Sequence, residues 1–101
     1  MVTRAEFEDL AAKAGVEVKG KKNPYASKNG HMFAFLSETD GLCVRFSEER
    51  RAELADAWGQ GPVISYGAVM KGYVAVPPKM TEDAAAYLAE AQAFVSTLKP
   101  K

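Results

Sequence analysis

Cys43 and His31, the only cysteine and the only histidine of the chain, are the first candidates for nucleophilic catalysis. Such chemistry requires an imidazole within hydrogen-bond reach of the thiol. Both residues fall in one predicted β-hairpin, Cys43 beside its turn and His31 at its far end, so about five to seven residues of strand, or roughly 17–23 Å, separate them. Their side chains are also expected to point to opposite faces of the sheet. The pattern therefore favours a packing role for Cys43 over a catalytic dyad.

Other arrangements of reactive residues are incomplete. A zinc cage needs four cysteine or histidine ligands, and this chain has two such residues in total. The acidic pairs at 48–49 and 82–83 stand where helices are predicted to begin, which is where carboxylates favour the helix dipole. We therefore predict no catalytic residue, no metal and no cofactor. An enzyme that uses Cys43 or His31 ranks third among the functional hypotheses.

Four lysines and a tyrosine form a basic cluster, which consists of Lys19, Lys21, Lys22, Tyr25 and Lys28. Lysines contact phosphates and a tyrosine ring stacks on a base, so this segment is a candidate nucleic-acid interface. The alternative is a solvated loop, which the balanced net charge favours. No groove-reading helix accompanies the lysines, so any binding is expected to be weak and sensitive to salt.

A second candidate site lies further along the chain, at Tyr66, Met70, Lys71 and Tyr73. Aromatic, thioether and cationic side chains within one segment are typical of a binding cleft or a subunit contact. The alternative is a pair of core strands with Lys71 pointing to water.

Composition places these candidates in an ordinary globular protein. The chain has 101 residues, 48% of them hydrophobic, which suffices for a single domain over residues 1–101. The 13 basic and 13 acidic residues cancel, so no overall positive field attracts nucleic acid or an anionic membrane. One cysteine suits a reducing compartment, and the N-terminal residues lack the apolar run of a signal peptide. No segment approaches the roughly 18 apolar residues of a membrane span, so we expect a cytoplasmic protein without membrane contact.

Three helices are predicted to position these residues. Thr3 and Glu6 form a capping box for the first helix, Ser47 caps the second, and Thr81 caps the third, which is expected to run to about residue 98. Apolar side chains recur at helical spacing in each helix. In the last helix they form one continuous stripe, made of Ala84, Tyr87, Leu88, Ala91, Phe94, Val95 and Leu98.

The clearest strands are predicted at residues 31–37 and 42–46, joined by a tight turn. A two-residue loop and a four-residue loop give registers of the same parity. Either register sets four large apolar residues on the face towards the helices, namely Phe33, Phe35, Val44 and Phe46. The other face is apolar enough to suggest partial cover by something else, which favours its use as an interface.

Further strands are predicted at residues 63–66 and 72–76, which would pair with each other. Residues 16–19 add a possible short strand, and residues 25–27 a possible edge strand that leads into an Asn29-Gly30 turn. The order is α-β(β)β-α-β-β-α. The sequence therefore predicts an α+β fold in which an antiparallel β-sheet has flanking helices.

Several stretches of this pattern resemble a known family. Residues 29–36 and 41–46 form a hairpin before a charged helix, and residues 66–77 place a methionine-lysine pair ahead of an aromatic, a valine and a proline. Together with the terminal helix, these stretches are similar to the TfoX N-terminal domain-like family (TfoX/Sxy, YjbR-like fold), over most of the chain from residue 30. The resemblance implies a curved antiparallel sheet with flanking helices. Residues 21–27 stand where the family carries a glycine-rich stretch.

The resemblance also bears on function. The name-giving member of the family regulates bacterial competence for DNA uptake, and small one-domain relatives mostly lack an assigned activity. We therefore predict a small bacterial member that acts as a non-catalytic interaction or regulatory module, with a second copy of itself or another protein as its partner. Contact is expected through residues 66–73 or through an exposed sheet face. The alternative is a weak nucleic-acid-binding protein that uses residues 19–28.

Overall fold

A computed structural model describes residues 3–21, 23–37, 41–61, 63–65, 68–70, 72–77 and 83–99. Within these ranges the chain forms the predicted α+β fold, with helices flanking an antiparallel sheet. The helices are α1 (Arg4–Lys13), α2 (Glu48–Trp58) and α3 (Ala84–Ser96). The strands are β1 (Tyr25–Lys28), β2 (His31–Ser37), β3 (Gly41–Arg45), β4 (Ile64–Ser65), β5 (Ala68–Val69) and β6 (Tyr73–Ala75). The main sheet has the order β1-β2-β3-β6, and β4 and β5 form a separate hairpin.

The first helix begins and ends with local hydrogen bonds. The Thr3 hydroxyl accepts the amide of Glu6 at 3.2 Å, and the Glu6 carboxylate accepts the amide of Thr3 at 3.3 Å, which confirms the capping box. After the last turn, Gly15 has φ 74°, and the amide of Val16 donates to the carbonyl of Ala11 at 2.8 Å. This helix end brings Val16 back against the core.

The second helix is capped by Ser47 as predicted, because its hydroxyl accepts the amide of Arg50 at 3.3 Å. Arg50 also joins α2 to α3, since its Nε lies 2.9 Å from Glu90 Oε2. This hydrogen bond raises the pKa of Arg50 above its ordinary value. The third helix ends at Ser96, slightly before its predicted end, and its predicted cap, Thr81, lies outside the described residues.

All three helices contribute to one core on one face of the main sheet, which we call the helix-side core. Phe7 of α1 and Leu88 of α3 are fully buried there, and burial of each such side chain contributes about 1.5–3 kcal/mol. The predicted stripe of α3 is confirmed. Its buried members are Ala84, Leu88, Ala91 and Val95, and Tyr87, Phe94 and Leu98 pack beside them.

The opposite face of the sheet carries a smaller core, which we call the hairpin-side core. It consists of Phe35, Cys43, Val63, Tyr73 and Ala75. Met70, which follows β5, packs against it, and the amide of Met70 donates to the carbonyl of Val63 at 2.8 Å. The chain itself thus supplies the cover that this face requires. The apolar face is therefore not the exposed contact surface that the sequence suggests.

The predicted distribution of aromatic residues over the two faces is wrong at one position. Phe33, Val44 and Phe46 lie in the helix-side core, as predicted. Phe35 lies in the hairpin-side core instead, opposite Cys43 in the ladder of β2 and β3. The helices therefore lose one predicted partner, and the second face acquires an aromatic ring.

The loop between β2 and β3 accounts for this difference. Ser37 pairs with Gly41, so three residues connect the two strands. An odd loop reverses the parity that loops of two or four residues give. Gly41, the first residue after this loop, has φ 78°, a left-handed conformation that glycine adopts without steric cost.

A bulge in the neighbouring ladder keeps Phe33 with the helices. The register of β1 against β2 shifts between Ala26 and Ser27. Their partners on β2 are Ala34 and Met32, so Phe33 is an extra residue in this ladder. The bulge lets Phe33 and Ala34, although adjacent in sequence, both contribute to the helix-side core.

The pairing of the later strands also differs from the prediction. β6 pairs with β3, with Val74 opposite Val44, and not with β4 as predicted. β4 pairs with β5 instead. Residues 16–19 form no strand, and Lys19 makes only an isolated bridge to Tyr25. The predicted edge strand is present as β1 and leads through the predicted turn into β2.

The Thr3→Ala variant tests the capping box. We expect the free energy of unfolding to fall by about 1 kcal/mol, because the amide of Glu6 loses its acceptor at the start of α1. Urea unfolding followed by circular dichroism measures the loss. Thr97→Ala at the exposed C-terminal cap of α3 is the matched control and should stay within about 0.5 kcal/mol of the wild type. Equal losses in both variants would contradict a specific role for the box.

Candidate functional site

Cys43 lies in the hairpin-side core, whereas His31 contacts the segment that follows α3. Cys43 is 0% exposed within the hairpin-side core, and its Sγ lies 3.6 Å from the carbonyl oxygen of Gly41. His31 Nε2 lies 2.7 Å from the carbonyl oxygen of Lys99, just beyond α3. Since a carbonyl only accepts, Nε2 carries the proton of this hydrogen bond. The imidazole therefore fixes the end of the α3 segment and does not face the thiol.

The described ranges were also searched for a metal site and for a membrane-spanning helix. Among the residues that the structure describes, no group of three or more histidine, cysteine, aspartate or glutamate side chains is placed to hold a metal ion. The helices within those ranges are all too short or too polar to cross a lipid bilayer.

Arg4 orders the segment that carries the predicted lysines. Its Nη1 donates to the carbonyl of Lys21 at 2.7 Å, and its Nη2 donates to the carbonyl of Gly20 at 2.5 Å. Its Nε donates to Glu8 Oε1 at 3.1 Å, one turn further along α1. One guanidinium thus holds two consecutive carbonyls and is itself held in place. The residue is missing from the sequence-based site, although its spacing to Glu8 is a recognisable i,i+4 ion pair.

The same segment is closed at its base, and we call its described residues, 19–21 and 23–25, the lysine loop. The amide of Lys19 donates to the carbonyl of Tyr25 at 2.7 Å, and the amide of Tyr25 donates to the carbonyl of Lys19 at 3.0 Å. Within the loop, a Cβ on Gly20 would lie 2.5 Å from the carbonyl oxygen of Asn23 and 3.2 Å from the Tyr25 ring. Only glycine allows the chain to pass this close.

The structure divides the predicted basic cluster between the two faces of the sheet. Lys19 is the cross-strand partner of Tyr25, which packs against the hairpin-side core, so both belong to that face. Lys28 is the partner of His31, whose ring reaches the end of the α3 segment, so both belong to the helix side. Lys22 lies outside the described residues.

The described lysines of this region lie at the surface, and none of them takes part in an ion pair found within the described ranges. Lys19, Lys21 and Lys28 are exposed. All ion pairs found within the described ranges use arginine, at Arg4 or Arg50. Within the described ranges, arginine and not lysine therefore forms the ion pairs.

Tyr73, predicted as a binding residue, is part of the hairpin-side core. It is 6% exposed, and its hydroxyl donates to the carbonyl of Met32 at 2.5 Å. Its ring meets Phe35 edge to face, with 5.2 Å between centroids. Met70 is half-buried at the base of the β4–β5 hairpin, whereas Tyr66 and Lys71 lie outside the described residues.

Val69 is a surface residue that the sequence analysis did not single out. It is 58% exposed and is the one large hydrophobic residue in the described part of the chain with such exposure. It lies on β5, directly before Met70, whose side chain packs on the core. A valine between an alanine and a methionine carries no sequence signal for exposure.

Arg4→Ala tests whether the guanidinium orders the lysine loop. We expect amide hydrogen exchange at Lys19 and Tyr25 to accelerate about fivefold, which corresponds to about 1 kcal/mol of lost hydrogen bonding. Nuclear magnetic resonance resolves both amides. Glu8→Ala removes only the exposed ion pair and should change these rates by less than about twofold. An equal effect of both variants would assign the order to the ion pair.

Tyr73→Phe tests the buried hydroxyl. Burial raises the pKa of Tyr73 to about 12, so the folded protein keeps this proton above the pH at which the unfolded chain releases it. The resulting stability is present below about pH 10 and is lost as the pH rises through about 12. We expect the wild type to exceed Tyr73→Phe by about 1 kcal/mol at neutral pH and to lose this advantage in strong base. Urea unfolding at a series of pH values measures the difference, and a constant difference would contradict the burial argument.

We compared the chain with models of protein families, with curated proteins and with solved structures. No family model matches it, and neither a curated protein nor a solved structure matches it significantly.

Proposed function

We propose that this protein is a non-catalytic interaction module that associates with a second copy of itself through the β4–β5 hairpin. The observation that carries the proposal is the exposure of Val69, at 58%. Covering a large exposed apolar side chain with a partner removes its surface from water, which contributes favourable free energy to association. The contact stays within the predicted region, residues 66–73, and is centred on Val69, which the prediction did not name.

The hairpin gives Val69 a fixed position. Val63, which precedes β4, is 2% exposed in the hairpin-side core, and the hydrogen bond from Met70 to its carbonyl closes the segment at 2.8 Å. Side chains of Val63 and Met70 thus anchor both ends of the hairpin to the sheet. A pre-ordered contact residue loses little conformational entropy on association, which favours binding.

The edges of the main sheet support contact through the hairpin over strand addition. At the β6 edge, Arg51 Nε donates to the carbonyl of Tyr73 at 3.3 Å. At the β1 edge, Lys19 pairs with both backbone groups of Tyr25. Backbone groups that are satisfied within the chain are poor templates for another strand.

Net charge supports a second copy as the partner. The 13 basic and 13 acidic residues give a formal net charge of zero. Two copies therefore meet without overall electrostatic repulsion, and proteins near zero net charge tend to associate.

The proposal includes the family suggested by the sequence. The α+β fold with an antiparallel sheet, and the motifs at residues 29–36 and 66–77, support membership of the TfoX N-terminal domain-like family. A small bacterial, cytoplasmic member would act by contact with another molecule, as a regulatory module does.

Val69→Lys tests the interaction surface. Light scattering on a size-exclusion column should show the wild type rising from 10.9 kDa towards a dimer as its concentration increases. Val69→Lys should remain a monomer throughout, because a buried unpaired charge costs several kcal/mol. Ala57→Lys, at an exposed position of α2, should behave as the wild type.

Two results would contradict the proposal. One is a wild-type mass of 10.9 kDa that does not change up to about 1 mM protein. The other is a dimer that forms equally well in Val69→Lys, which would place the interface elsewhere.

A further inference from the structure

We propose that the lysine loop and Tyr25 form a binding site for a short segment of single-stranded nucleic acid. The site uses the β1 edge of the sheet and is independent of the contact proposed for Val69. Tyr25 supplies the surface on which a base stacks, and Lys19 and Lys21 contact the phosphates.

Tyr25 is a fixed aromatic group at the edge of the sheet. Its ring packs against the hairpin-side core and lies beside Gly20, yet part of the residue stays exposed. Both of its backbone groups are hydrogen-bonded to Lys19, at 2.7 and 3.0 Å. Unpaired bases stack on aromatic rings presented at a sheet surface in this way, largely without regard to sequence.

Two exposed lysines belong to the same loop as Tyr25. Lys19 shares its face as the cross-strand partner of Tyr25, and Lys21 follows in the same loop. Both are exposed, and within the described ranges neither takes part in an ion pair. A phosphate that reaches them therefore replaces counterions and no protein carboxylate.

Arg4 prepares the loop for binding without occupying the site. Its Nε, Nη1 and Nη2 all donate to partners within the chain, so we assign the guanidinium a structural role and not a ligand contact. Because the carbonyls of Gly20 and Lys21 are held, the loop loses little further entropy when a ligand binds.

The surroundings favour a short single strand over a duplex. A base within a duplex is already stacked and paired, so the Tyr25 ring cannot reach its face. Within the described ranges the loop offers two exposed lysines, Lys19 and Lys21, to a phosphate backbone. The favourable contacts are therefore limited to the few nucleotides that span the loop.

Charge reversal on the two faces tests the site. Fluorescence anisotropy of a labelled oligothymidine of about eight nucleotides, at about 20 mM salt, measures binding to the full chain. Lys19→Glu and Lys21→Glu should each weaken binding by about fivefold or more. Lys28→Glu is the matched control, because it makes the same charge change on the helix side, and it should weaken binding by less than about twofold.

Substitution of Tyr25 tests the stacking. Tyr25→Phe keeps the ring and should bind within about twofold of the wild type, whereas Tyr25→Leu keeps apolar packing without the ring and should bind about tenfold more weakly. Circular dichroism of both variants shows whether they are folded. If Tyr25→Leu is unfolded, Tyr25→His serves as the comparison, with a smaller ring and an intermediate loss expected.

The dependence of binding affinity on salt indicates how many phosphates the lysines contact. Two lysine contacts on a single strand predict a slope of log affinity against log salt of about −1.4, which Lys21→Gln should reduce to about −0.7.

Four results would overturn the proposal. The first is the absence of any anisotropy change at about 1 mM protein and low salt. The second is a loss in Lys28→Glu as large as that in Lys19→Glu, which would reflect general charge attraction. The third is equal affinity for a duplex of the same sequence. The fourth is full competition by polyglutamate together with normal binding by Tyr25→Leu, which would indicate an acidic polypeptide as the ligand.

Discussion

The three-residue connection between β2 and β3 decides which side chains meet in this protein. Because side chains alternate along a strand, an odd loop assigns Phe35 and Cys43 to the face away from the helices. That face then holds enough apolar surface to need its own cover, and the segment that ends at Met70 supplies it. The position of the β4–β5 hairpin, and with it the exposure of Val69, follows from this parity.

The helices and the edge strand could be predicted from the sequence because their signals are local. A capping box such as Thr3 with Glu6 involves neighbouring residues, and the stripe of α3 has the period of a helix. Register is different, because a hairpin with an even loop and one with an odd loop share the same alternating pattern. The bulge at Phe33 and the pairing of β6 with β3 depend on contacts between distant segments, which no local pattern contains.

The candidate sites could also be predicted only as far as local sequence signals allow. The sequence identifies Lys19, Lys21 and Tyr25 as residues suited to nucleic acid, since this depends on residue type alone. Lys28 lies three residues after Tyr25 on β1 and so takes the opposite face by strand alternation, whereas the face of Lys19 is set by its bridge to Tyr25, which the sequence does not show. Arg4 acts on the loop across 17 positions of sequence, so its role appears only in the folded chain.

Because Cys43 is buried, the rate at which a thiol reagent labels it reports local opening of the structure. The thiol is 0% exposed on an inner strand, between β2 and β6 and beneath the β4–β5 hairpin. A thiol-specific reagent can reach the sulfur only while this layer is displaced, so the labelling rate measures the free energy of that opening. Since the chain has one cysteine, every labelled molecule records the same event. A partner that seats on the hairpin would slow the reaction without touching the sulfur.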